Sequence, residues 1–192
     1  EKPELKKPLP AGLTKEVVIN KYFDAIGGAD KIKGLETTLT IYEANAMGQT
    51  VQSIEKRNAS KSSTEIAMGG NTMMKVLMSK GSVNMNGQQI PPNMANEMTN
   101  IIGTFSEIGL LSDENTTLTG IENLEGKEVY VLTAKGKIIT TLFYFDVKTG
   151  LKVKEAQSIS MGQRTQNQET IFSDYKDFGG IKFPSKKIGS LG

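Results

Sequence analysis

Cysteine, histidine and tryptophan are absent from this chain, and arginine occurs only at positions 57 and 164. Without cysteine there is no disulfide and no thiol nucleophile, and thiol usage cannot tell cytosol from envelope. Without histidine or cysteine the chain cannot build a Ser–His–Asp triad or the usual zinc sites, so most hydrolase chemistry is excluded. The reading is of a chain that is not an enzyme, with no cofactor, no catalytic residue and no metal held by side chains. Thioether capture of a soft metal would normally recruit His or Cys as well. No apolar run approaches the roughly 18–20 residues that span a bilayer, and no basic-then-apolar leader opens the chain at Glu1, so an exported protein would have lost its signal. The 23 Lys+Arg against 21 Asp+Glu leave a net charge of +2 with no basic block, which argues against a nucleic-acid partner. Phosphate-cradling patterns are missing too: the glycine pairs at 27–28, 69–70 and 179–180 read as turns or a helix stop. Asp174 and Asp177, around Tyr175, read as solvated turn residues rather than a catalytic carboxylate pair.

What is present is enough apolar side chain, 37% of 192 residues, for one globular body. Residues 1–12, with three of the six prolines and no apolar period, read as a linker or N-terminal arm, leaving 13–192 as the folded domain. Over 14–26 the spacing predicts a helix capped by Thr14, with Val17, Val18, Tyr22, Phe23, Ala25 and Ile26 on one stripe and a stop at Gly27–Gly28. Asp30 could cap a short turn after it. From Thr37 onward about eleven strand-like stretches follow, divided by Met47–Gly48, Gly69–Gly70, Asn86–Gly87, Gly126, Gly162 and Gly179–Gly180. A helix is expected after Pro91–Pro92, capped by Asn93. So many sequential strands in a short chain should curl, so the expected fold is mainly β (α+β): a strongly curved antiparallel sheet forming an open β-barrel covered by two or three helices. The stretch 154–171 is polar on both faces, which reads as an edge ribbon or as a docking flap.

Seven of the nine methionines fall between Met68 and Met98. A turn at Gly69–Asn71 would put Ile66, Met68, Met74, Val76 and Met78 on a shared face of two strands, and Met94 and Met98 lie one helical turn apart. Strands 127–134 and 137–146 are apolar on both faces, so either they are buried between sheet and helix or Leu142 and Tyr144 help wall a cavity. Methionine is flexible and polarisable, and a wall of it adapts to a variable apolar guest. Ordinary core filling is the competing explanation. The candidate ligand-binding set is Met68, Met74, Val76, Met78, Met94, Met98, Leu142 and Tyr144.

Three stretches, 18–38 (VINKYFDAIGGADKIKGLETT), 143–154 (FYFDVKTGLKVK) and 172–188 (FSDYKDFGGIKFPSKKI), resemble the LolA/LolB-like envelope superfamily, and more closely a Bacteroidetes-type module with the same opening and closing segments. The resemblance covers nearly all of 13–188. It implies a half-open antiparallel barrel whose concave face holds acyl chains of lipoproteins or other lipids, in the periplasm or at the outer membrane. The opening 6–28 is also similar to the junction where such a module follows pitrilysin/insulinase-type zinc peptidase domains, which would make this chain a C-terminal accessory or interaction module with a filled core. The peptidase's H-x-x-E-H signature cannot be present without histidine. The partners implied are a hydrophobic small molecule or lipid, a lipoprotein, or a parent peptidase domain.

Overall fold

The computed structural model describes residues 8–46 and 48–191, so most of the expected arm, and Met47 of the first turn, lie outside the described residues; 8–12 are exposed and carry no helix or strand. In chain order the elements are α1 (Lys15–Ile26), α2 (Ala29–Lys33), β1 (Thr37–Ala46), β2 (Gln49–Asn58), β3 (Lys61–Met68), β4 (Asn71–Ser79), β5 (Ser82–Met85), β6 (Gln88–Gln89), α3 (Pro92–Met98), α4 (Ser106–Ser112), β7 (Thr116–Leu124), β8 (Lys127–Lys135), β9 (Ile139–Asp146), β10 (Lys152–Met161), β11 (Arg164–Phe178) and β12 (Ile181–Leu191). The fold is mainly β and antiparallel, with a few helices, as expected. Its strands fall into two six-stranded meanders, β1 to β6 and β7 to β12, rather than one continuous ladder. The break has a local cause: β6 is two residues long, and Pro91 and Pro92 offer no N–H with which to continue it. The chain groups into two compact units, one of residues up to Ile32 and from Asp113 on, the other Lys33–Ser112 inserted between them.

The flanking unit is built on α1. Thr14 caps it by accepting a hydrogen bond from the Val17 N–H, and Val18, Ile19, Tyr22, Phe23 and Ile26 are buried. Tyr22 meets Phe145 of β9 with ring centroids 5.3 Å apart. Val17, expected on the stripe, is 48% exposed, and Ile19 is buried in its place. Gly27 ends the helix at φ 139°, and a side chain there would strike the Gly180 carbonyl in the turn between β11 and β12. The Lys21 Nζ donates to the Val147 carbonyl in the turn between β9 and β10. β8 and β9 are interior strands of this sheet, and Val129, Val131, Leu132, Phe143 and Phe145 are fully buried. The pairing of β10 to β9 ends at Ile159, with the Ser160 N–H still donating to the Ile138 carbonyl at 2.8 Å, and the exposed tip of the β10–β11 ribbon lies beyond.

In the inserted unit, Asn86 (φ 51°) and Gly87 (φ 85°) make the expected tight hairpin turn, with the Asn84 side chain accepting the Gly87 N–H. α3 packs on β5 through Ala95, which is fully buried. Thr99 fastens this helix to the β4–β5 turn: its hydroxyl accepts the Gly81 N–H at 2.8 Å and donates to the Ala95 carbonyl at 2.8 Å. The short α4 carries Gly109 in mid-helix, where a Cβ would sit 3.1 Å from the Ile101 Cα, a tight contact that the neighbouring segment would have to yield to by a few tenths of an ångström.

Candidate functional site

The β3–β4 register places Met78 opposite Ser62, Val76 opposite Thr64 and Met74 opposite Ile66, on one face of the sheet as the alternation implied. A bulge follows between Ile66 and Ala67, and Met73 within it is 62% exposed. Val76, Val83 and Ala95 form a buried cluster, and Met74, Met78, Met85, Ile90 and Met98 pack against it while staying partly exposed. Four of the eight candidate residues, Met74, Val76, Met78 and Met98, are thereby brought together, with β5 supplying Met85. Met68 and Met94 are half-buried outside that cluster. α3 touches the layer through Ala95 and Met98, three residues apart, rather than through a Met94–Met98 stripe.

Leu142 and Tyr144 belong to the flanking unit, half-buried on the face of β9 opposite Phe143 and Phe145. Lys154 lies 5.5 Å from the Tyr144 ring centroid and pairs with Glu169 at 2.7 Å. Burial, then the negative charges of Glu122 and Glu169, push the Tyr144 phenol above its usual pKa. The phenol is therefore neutral at physiological pH.

A concavity of about 690 Å³ lies within the inserted unit. Ten of the fourteen residues lining it alternate to the sheet face away from the methionine layer, and the other four, Thr38, Arg57, Ser62 and Met78, form one row on the layer's own face. The ten include a row running straight across five strands, Leu39, Lys56, Ser63, Leu77 and Asn84. Thr37, Asn58, Lys61, Ser79 and Ser82 line the same side one step along. Leu39 and Leu77 are 61% and 45% exposed. The sequence signal for this groove was available: Leu77 stands out of phase with Met74, Val76 and Met78, so β4 is apolar on both faces.

No protein-family model matches the sequence, and no curated protein does. The structure is similar to the crystal structure of a LolA superfamily protein from Nitrosomonas europaea, with a TM-score of 0.53 over 93% of this chain and 86% of that one. The fold is LolA-like. At 13% identity it is the fold that the two share. A DUF1329 family protein from Desulfovibrio piger aligns over 88% of this chain and 82% of its own, at 13% identity and a TM-score of 0.46. The likeness to the LolA superfamily protein does not confirm the peptidase-associated module drawn from the opening stretch. In this LolA-like chain no helix among the described residues is long and apolar enough to cross a membrane.

Proposed function

We propose that this chain binds an apolar ligand, a lipid or the acyl chain of a lipoprotein, in the cell envelope and without catalysis. The observation that carries the reading is the methionine layer: Met74, Met78, Met85 and Met98 pack around Val76, Val83 and Ala95 yet stay partly exposed. Thioethers re-pack at little cost, so such a layer can close over guests of different shape. The LolA-like fold supports the same reading by analogy, as does the lack of histidine and cysteine, which removes the common nucleophile and base chemistries. Met68 and Met94, half-buried in the same unit, extend the proposed apolar lining; Leu142 and Tyr144 stand in the flanking unit.

The test is titration of the full chain with an uncharged fluorescent long-chain monoacylglycerol. Replacing Met74 and Met78 by Ala, and separately by Phe, should each weaken binding, by roughly fivefold for about 1 kcal/mol of lost contact. Absence of binding, or an affinity indifferent to both pairs of changes, would return the methionines to plain core filling.

A further inference from the structure

The groove on the opposite face of the same sheet has a chemistry of its own. Lys56 occupies the row between Leu39 and Ser63, and Lys61 lies two residues before Ser63 on the adjoining strand. From strand spacing and rise, the two Cα atoms are about 8 Å apart, close enough for both flexible ammonium groups to reach one anion. Both side chains are exposed. None of the groove's lining residues is acidic. The nearest carboxylates are engaged elsewhere: Glu65, one row further in, faces Lys75 and accepts the Thr72 hydroxyl at 2.6 Å, while Glu55 lies on the other face, 3.9 Å from Arg57. Around the lysines stand hydroxyl and amide groups from Ser63, Ser79, Ser82 and Asn84. The apolar part of the surface is continuous with Ile41 and Ile54, paired with each other one row beyond Leu39 and Lys56.

We propose that this groove is a second binding site, distinct from the methionine layer, for an amphiphile with one alkyl chain and an anionic head. The chain lies over Leu39 and Leu77, and the head is held by Lys56 and Lys61. A volume of about 690 Å³ suits one small ligand, within the roughly 300–1,000 Å³ usual for such sites. Charge complementarity fixes the sign of the head, and the exposed leucines require an apolar tail. Leu39, Leu77, Lys56 and Lys61 lie on the sheet face opposite the methionine layer, and Met78 is the one residue of that layer that also lines the groove.

The experiment is calorimetric titration of the full chain with dodecyl phosphate below its micelle concentration, beside neutral monolauroylglycerol and inorganic phosphate. The anionic amphiphile should bind roughly tenfold tighter than the neutral one, the sum of a few exposed charge pairs. That preference should shrink with added salt, since the Debye length is about 8 Å at physiological strength. The double change Lys56→Glu, Lys61→Glu should abolish the preference. Both positions are exposed, so the variant is expected to fold, and its thermal transition is recorded alongside. Equal binding of both amphiphiles, displacement by inorganic phosphate alone, or indifference to the charge reversal would overturn the site. A dimer in sedimentation that the same reversal breaks would assign the groove to a second copy of the chain and overturn it equally. Binding of either amphiphile that responds only to changes at Met74 and Met98, which do not line the groove, would leave the proposed function standing without this site.

Discussion

Asp146 heads the turn between β9 and β10, where its Oδ1 accepts the Thr149 N–H at 2.7 Å, the Lys148 N–H at 2.9 Å and the Thr149 hydroxyl at 3.0 Å. Burial alone would raise its pKa, but these hydrogen bonds, with the nearby Lys127 charge, outweigh burial and hold it below the ordinary carboxylate value. Because the folded pKa is depressed, the stabilisation is complete above the unfolded value near 3.9 and is lost as pH falls through the folded one. Asp146→Asn should therefore cost on the order of 1–2 kcal/mol at pH 7, and the gap from the unmodified chain should narrow below about pH 4. Urea unfolding across that range checks it, and a gap that stays constant down to pH 2.5 would contradict it. Asp177 has a similar task, accepting the Gly180 N–H at 2.8 Å in the turn between β11 and β12. Both belong to stretches that made the sequence look familiar, and both are turn-forming residues.

At the scale of elements, α1 offers a direct contrast between neighbouring apolar residues. Ile19 is fully buried and Val17 is 48% exposed. Ile19→Ala should cost about 2–5 kcal/mol and Val17→Ala within about 0.5 kcal/mol of nothing, compared by denaturant midpoints at constant m. Comparable losses at both would place the helix's buried face wrongly. The broad stripe over 14–26 was legible in the sequence, but a 3.6-residue period did not decide which flank of it turned outward, because the sheet beneath it was not yet specified. Strands were legible for a plainer reason: glycine, or Asn86–Gly87, stands at nearly every reversal, and those residues take positive φ. α4 is not legible in the sequence because it is seven residues long and carries Gly109, a weak helix former, at its centre. The groove escaped notice because Leu39 and Leu77 join in one row only through the pairing of β1 to β4, a non-local fact.

For the whole molecule, the three stretches that carry the family resemblance meet around α1. Gly27 abuts the Gly180 carbonyl, and Lys21 reaches the Val147 carbonyl. Those stretches therefore encode how α1 docks on the second sheet, which is why they pointed to a LolA-like fold and say little about a ligand. The ligand reading rests instead on half-covered methionines in the inserted unit, a property of packing. Native mass spectrometry of the full chain, purified from cells without detergent, tests it most directly. A lipid mass carried at near one-to-one occupancy, lost on delipidation and regained on adding fatty acid, is the predicted result; a bare chain before and after that addition would contradict the account.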